Sequence, residues 1–557
     1  MSSQQIPVII LKEGTSRSRG RDAQRSNITA AKILAETVRS TLGPRGMDKM
    51  MVGTIGDIVI TNDGATIMKE MDVQNPAAKM LVEVSKTQDS EVGDGTTTAV
   101  VLAGELLSGA ETLLDKDVHP NIIIDGYRNA AEKAQEILDE IAVTIKPEDT
   151  EQLKRVALTS LNTKGIFGSQ EHFADLAVKA VLQVMEKSDD KITADIDLVK
   201  VMKKHGKSLD ETELINGIVI DKEVAHSQMP KNIADARIAL LNAKLEIDKP
   251  EMSAEIRINK PEELEQFLDE EERMLKEMAD EVAATGANVL FTEKGADDEA
   301  LAVLAKKGIL TVKNVSSKDM EKLAKATGGT IAGTLKDLPK TGLGQAKKVE
   351  EVKIGDDKHV YVREGKNPKA VTIMIRGGSD HVIDEAERAL HDALCVVRNA
   401  VEDGKVVAGG GAPEAELSKR LNTLATKTEG REQLAIKAFA EALEAIPVTI
   451  AQNAGIDPID IMVELRQKHN TPANKWYGVN VYEGKTADMW KMNVIEPLRV
   501  KKQVIKSAVE AVTMLLRVDD VIASKSPGPM PSPGGSGGMP PGMGGMGGMP
   551  PGMMGGM

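Results

Sequence analysis

The spacing of apolar residues changes twice along this chain, and no fold of a single class accommodates both textures. Near the start, Ile28, Ala31, Leu34, Ala35, Val38 and Leu42 recur on one helical face, and Gly43-Pro44 stops the helix. Residues 51–61 alternate and hold two glycines, which predicts a hairpin whose second strand, 57–61, runs into an Asn62-Asp63-Gly64 turn. Helices are expected from Pro76 and from Thr96, the latter apolar nearly all round over 99–107 and therefore central in a helical domain. From about Gly217 the texture becomes β-α-β, with strands at 217–221, 236–247, 288–292 and 309–315 and helices beginning near Pro261, Asp297 and Ser317. A strand at 370–375 leads through Arg376-Gly377-Gly378 into a helix capped by Ser379, with Ile383, Leu390, Leu394, Val397 and Val401 inward. Helical texture returns over 413–465 and 501–516, followed by a strand-like 518–523. The expected fold is multidomain, α and α/β.

The 557 residues suffice for roughly three or four domains. Only 2% are aromatic, so the cores are aliphatic and little stacking surface remains for single-stranded nucleic acid. A net charge of -14 without a basic block speaks against nucleic acid as a partner. The single cysteine, Cys395, cannot form an intrachain disulfide and fits a reducing compartment. The apolar run at 8–11 is too short for a signal sequence, and no stretch is expected to reach the ~18–20 apolar residues that span a bilayer. A cytoplasmic protein without a membrane partner is expected. After Lys525 the composition collapses into Gly, Pro and Met, a tail too poor in buriable surface to order itself.

Five strings place carboxylates, glycines or hydroxyls where a nucleoside triphosphate can be held: TLGPRGMDKM at Thr41, TNDGATI at Thr61, GDGTTT at Gly93, HDAL at His391 and VAGGG at Val407. In Gly93-Asp94-Gly95-Thr96-Thr97-Thr98 a turn becomes a helix, so backbone N–H groups without intrahelical acceptors and the positive end of the helix dipole face the loop. Phosphate oxygens satisfy such donors; an ordinary Thr-capped helix is the other reading. Asp94 beside that cradle is the natural Mg2+ ligand. Asp63 also reads as a plain turn residue, and Asp392, with Glu385 and Arg388, as part of a solvated helix face. Lys164 suits a terminal phosphate or a surface turn, and Gly409-Gly410-Gly411 a ligand approach or a hinge. Walker A, metalloprotease, EF-hand and nucleophile-elbow motifs are missing.

Taken together, three unbroken stretches, RSTLGPRGMDKMM at 39–51, ITNDGATIM at 60–68 and QDSEVGDGT at 88–96, resemble the signatures of the group II chaperonins of archaea, the thermosome type. The HDALCVVR run at His391 and the Gly-Met tail strengthen the resemblance, which extends from about residue 8 to residue 523. It implies an equatorial ATPase domain from 1–148 and 405–525, an intermediate domain from 149–216 and 370–404, and an α/β apical domain over 217–369. It further implies a helical lid at about 247–278 and a disordered tail over 526–557. By the same resemblance Thr41, Leu42, Gly43 and Pro44 lie along the nucleotide, with Asn62 and Gly64 beside it. Gly95, Thr96, Thr97 and Thr98 cradle phosphates, and Asp94 holds Mg2+. Asp63 and Asp392 orient the attacking water, Asp392 arriving on domain closure, and Lys164 senses the terminal phosphate. Gly410, Gly478, Asn480, Val481 and Glu496 surround ribose and adenine, while Met252, Ile256 and Ile258 form an apolar lid tip.

The implied cofactors are ATP and Mg2+, with K+ as a further cation. The implied partners are unfolded or partly folded proteins, and identical or paralogous subunits in stacked rings joined through short strands at 8–11 and 518–523 laid against the 51–61 hairpin. The implied activity is that of an ATP-dependent chaperonin, which captures unfolded proteins in a double-ring chamber and folds them on lid closure driven by Mg-ATP binding and hydrolysis. A ring or filament using nucleotide as structural glue is the alternative, and a small-molecule kinase the third.

Overall fold

The computed structural model describes residues 15–53, 56–166, 168–188, 191–247, 261–338, 342–355, 357–366 and 369–524. Met252, Ile256 and Ile258, the strand expected at 8–11 and the Gly-Met tail lie outside them. Two units are distinguished, one made of Met1–Ala23 with Asp519–Met557 and the other of Gln24–Val518.

In the smaller unit, Thr15–Arg19 pairs antiparallel with Asp520–Ser524, Thr15 opposite Ser524. The carboxy-terminal strand is thus taken by the start of its own chain. The hairpin strands Lys49–Val52 and Ile58–Thr61 pair with each other, and among the described residues each of these sheets stops at two strands.

In the larger unit, one hydrophobic core is built by helices from both ends of the sequence. Pro76–Val92, Thr96–Asp115 and Pro120–Ile141 pack with Ala412–Ala425, Glu432–Asn453 and Leu498–Leu516. Thr96–Asp115 is its centre, with every residue from Thr96 to Gly104 buried. It is also long and apolar enough to cross a membrane, contrary to the sequence expectation; its burial among other helices accounts for that composition. Gly104 permits the packing, because a Cβ there would stand 2.4 Å from Ala35 Cβ.

The second core lies in the middle of the sequence. A seven-stranded mixed sheet runs in the order Leu310–Val312, Val289–Thr292, Asn232–Leu241, Gly344–Ile354, Asp357–Gly365, Gly217–Ile220, with Ile331–Ala332 also paired to Asn232–Leu241. The first two pairings are parallel, as β-α-β texture predicts, and the last three antiparallel. The long helix Pro261–Ala284 buries Leu275, Ala279 and Val282, whereas Glu265 through Glu270 are all exposed, Phe267 and Leu268 included.

Two smaller sheets position functional residues. Val371–Gly377, between Val199–His205 and Glu213–Ile215, delivers the chain into the helix Asp380–Asp403, whose N-cap is Ser379. Lys405–Ala408, between Ile495–Pro497 and Val143–Thr144, sets Val407 opposite Glu496.

Candidate active site

Glycines decide how the strings meet. Gly93 and Gly95 adopt left-handed φ of 72° and 77° on either side of Asp94, a conformation that side chains resist. Gly95 is the N-cap of Thr96–Asp115 and has no side chain to cap it, so the N–H groups of Thr96, Thr97 and Thr98 lack intrahelical acceptors. All three threonines are buried. Gly64 brings the Asn62-Asp63-Gly64 turn against this helix start: a Cβ on it would stand 2.5 Å from Thr97 Oγ1. Gly93 does the same for the helix Asp380–Asp403, since its Cβ would stand 2.4 Å from Cys395 Sγ. That helix also donates to the end of Pro76–Val92, through Asn399 to Val92 O at 2.9 Å and Arg398 to Glu91 O at 2.9 Å.

Three charged side chains meet at the junction. Asp63 caps Gly64–Glu70, its Oδ2 accepting from Thr66 N at 2.9 Å and Thr66 Oγ1 at 2.8 Å. Lys164 Nζ lies 2.6 Å from Asp392 Oδ2 and 3.6 Å from Asp63 Oδ1, and all three residues are buried. Burial works to neutralise Lys164, but Asp392, Asp63 and Asp94 outweigh it and hold the ammonium form well above the usual lysine range. Burial likewise raises Asp63, yet Lys164, the Thr66 bonds and Arg388 bring its carboxyl below the usual value. For Asp392 burial prevails over Lys164, and the carboxyl is pushed up to about 6, Asp63 and Asp94 adding to the rise.

Beside this junction opens a cavity of about 420 Å3, within the range of small-molecule sites. Its wall contains Thr41, Leu42, Gly43, Pro44, Asn62, Asp63, Gly64, Asp94, Gly95, Thr96, Thr97, Thr98, Lys164, Gly410, Asn480, Val481 and Glu496. Two candidates are missing from it. Gly478 lies behind Gly410, a Cβ on it standing 2.6 Å from Gly410 O, so it makes room for the wall rather than forming it. Asp392 lies behind Lys164. Nor is Asp392 on a solvated helix face: the inner face of Asp380–Asp403 enters the core, and its other face is covered by the loop at Gly93.

The residues present fit a magnesium nucleotide. An uncapped helix start offers N–H donors to phosphate, and Asp94, held in its loop by Gln88 Nε2 to Asp94 O at 2.8 Å, stands beside it as a hard oxygen ligand.

The chain matches the TCP-1/cpn60 chaperonin family over residues 34–526. The chain belongs to that family. It is 57% identical over 518 residues to a thermosome subunit of Methanopyrus kandleri, covering 93% of this chain and 95% of that one. With the thermosome subunit beta of Archaeoglobus fulgidus it shares 55% identity over 534 residues, 96% and 98% of the two chains. Among solved structures it is similar to the open-state monomer of a group II chaperonin from Methanococcoides burtonii, with a TM-score of 0.60 and 46% identity over 77% of this chain and 100% of that one. These likenesses put the chain on the archaeal, group II side of the chaperonins.

Several residues of this chaperonin site escape the sequence reading. Glu385 Oε2 accepts from Thr61 Oγ1 at 3.1 Å, linking Asp380–Asp403 to the strand before Asp63. Thr163 O accepts from Asn62 Nδ2 at 2.6 Å, fixing the turn that carries Lys164. Arg155 lines the cavity from the helix Thr150–Leu161. His469, fully buried, lies 2.8 Å from Glu416 Oε2 and 2.9 Å from Tyr477 O, and so anchors the strand Tyr477–Asn480 that leads into Val481. Their roles come from where the fold places them rather than from a local motif.

Proposed function

We propose that this cavity binds Mg-ATP, that Asp63 and Asp392 orient the hydrolytic water, and that Lys164 is the charge whose partner changes during the cycle. The chain is an ATP-dependent chaperonin subunit, an ATPase coupled to protein folding. The observation that carries the site reading is the buried Asp63, Lys164 and Asp392 cluster next to an uncapped helix start. Lys164 is held by the two aspartates. A terminal phosphate beside Thr96–Thr98 gives Lys164 a stronger anionic partner, which frees Asp392 to accept a hydrogen bond from water. When bound, Mg2+ neutralises phosphate charge, and Asp94 is the residue that would hold it.

This assignment sets a pH dependence. A carboxyl raised to about 6 by burial takes up its proton as the pH falls through that value, and a protonated Asp392 can no longer act as acceptor. The kcat/KM for ATP, which reports the free enzyme, is therefore expected to fall on the acid side of about pH 6. Nucleotide binding, which does not use that group, persists there. A kcat/KM profile flat through this range contradicts the role of Asp392.

The two cores support a division in which the helices at both ends of the chain form an equatorial domain, 1–148 with 405–525. The segments 149–216 and 370–404 then form an intermediate domain and 217–369 an apical one. Exposed Met50, Val52, Ile58 and Ile60 on the Lys49–Thr61 hairpin leave apolar surface for a neighbouring subunit in a ring. The exposed first part of Pro261–Ala284, with Phe267 and Leu268, supports a built-in lid over 247–278, closing a chamber of two stacked rings in the cytoplasm. Deleting 247–278 is expected to leave ATP turnover within about twofold while abolishing refolding of an enclosed client, because none of the segment's described residues lines the cavity. Refolding at the full rate by that deletion means the segment is no lid. Steady ATP consumption that changes when unfolded protein is added separates this reading from a scaffold that keeps nucleotide as glue.

A further inference from the structure

Glu496 is one corner of a buried charge cluster. Its Oε2 lies 2.7 Å from Lys501 Nζ, and the same ammonium lies 3.0 Å from Glu414 Oε1. Lys501 and Glu414 are both buried, and Lys501 lines the cavity together with Glu496. Among the described residues Glu414 Oε2 is buried with no hydrogen-bond partner, and the one ammonium is shared between this buried carboxylate and the half-buried Glu496 on the cavity wall. The other oxygen of Glu496 stands outside that pairing. Glu496 sits opposite Val407 in the ladder, and its Oε1 comes so near Gly409 that a Cβ there would stand 2.5 Å from it. Lys501 thus fixes one oxygen, and the bare backbone of Gly409 makes room for the second.

We propose that Lys501 is a positioning residue for the sugar end of the site: paired with Oε2, it holds the Glu496 carboxyl group oriented so that Oε1 accepts a hydrogen bond from a ribose hydroxyl. This rests on the reading of Glu496 as a ribose contact. An ionised carboxylate is acceptor-only and takes a hydroxyl proton strongly, whereas the protonated acid spends one oxygen as a donor. Burial prevails at Glu496 and raises its carboxyl above the usual value; Lys501 is the main influence opposing that rise, and Glu414 adds to it. Lys501 is itself kept charged against burial by Glu414 and Glu496. Glu414 therefore anchors the ammonium while sharing it with Glu496, and Lys501 fixes the orientation of the group the sugar meets.

The test is steady-state hydrolysis of ATP, 2′-deoxyATP and 3′-deoxyATP by the assembled full-length protein. The unaltered protein is expected to show a KM about tenfold higher for at least one deoxy substrate, the effect of leaving a carboxylate without its hydroxyl donor. Lys501→Met is expected to bring that KM ratio close to one, and Lys501→Arg to keep most of it. A Lys501→Met protein in which all three KM values rise together, with the ratio intact, overturns the proposal in favour of a purely structural lysine. The underlying reading fails separately: if the unaltered protein and Glu496→Gln treat the three nucleotides alike, Glu496 touches no ribose and the proposal falls with it. Discrimination lost in Glu496→Gln but kept in Lys501→Met overturns the proposal alone. Should Lys501→Met fail to assemble, Glu414→Gln decides, since it leaves Lys501 to Glu496 undivided. A KM ratio equal to or above that of the unaltered protein supports the proposal, and a ratio lowered as in Glu496→Gln overturns it.

Discussion

Asp392→Ala is expected to assemble and to bind ATP, yet to hydrolyse it about 10²- to 10⁴-fold more slowly, the usual contribution of a positioned acid–base group. Assembly survives because Lys164, deprived of its 2.6 Å partner, still has Asp63 at 3.6 Å. The charge balance at the junction even improves, from two carboxylates on one ammonium to one. Binding survives because Asp392 stands behind Lys164 and forms no part of the cavity wall. Single-turnover hydrolysis measured beside equilibrium nucleotide binding checks both halves. A turnover within a few-fold of normal would remove Asp392 from the chemistry.

Lys164→Met should behave in the opposite way, with its largest effect on stability. Removing one partner of a buried ion pair is far more damaging than removing the whole pair, and here it leaves Asp392 and Asp63 facing each other without the ammonium between them. A loss of about 3–5 kcal/mol is expected, together with loss of hydrolysis. The physical cause has its own signature: Lys164→Met with Asp392→Asn should be more stable than Lys164→Met alone, because the second change removes the stranded charge. Thermal unfolding of the two variants checks this. Equal or lower stability of the double variant would mean that the lysine matters for packing rather than for charge.

The sequence made the phosphate end of the site legible because its chemistry is local. Gly93, Asp94, Gly95 and the three threonines need only their own turn and helix to create uncapped donors, and Asn62-Asp63-Gly64 needs only its turn to present a carboxylate. Helices such as Thr96–Asp115 and strands such as Val289–Thr292 were readable for the same reason, from runs and periods within one segment. What could not be read depends on faces that meet across hundreds of residues. Asp392 reads as solvated because the helix has an obvious inner face, and nothing local reveals that Gly93 lets its other face dock. Lys501 sits among apolar residues of Leu498–Leu516, and its two carboxylates become neighbours only through the fold. The strands Gly344–Ile354 and Asp357–Gly365 went unread for a different reason: their charged residues are satisfied across the ladder and along its edge, as in Arg363 with Glu350 and Lys347 with Glu364, so the apolar alternation is broken.

One structure tests the account most directly: the assembled protein with Mg2+ and a transition-state analogue of ATP hydrolysis, its lid closed. The account predicts the phosphate mimic at the N–H groups of Thr96, Thr97 and Thr98, Asp94 on the metal, Lys164 turned to the phosphate, and Asp63 and Asp392 both within hydrogen-bond reach of the in-line water. An analogue bound elsewhere, or Asp392 still locked to Lys164 and remote from that water in the closed form, would contradict it.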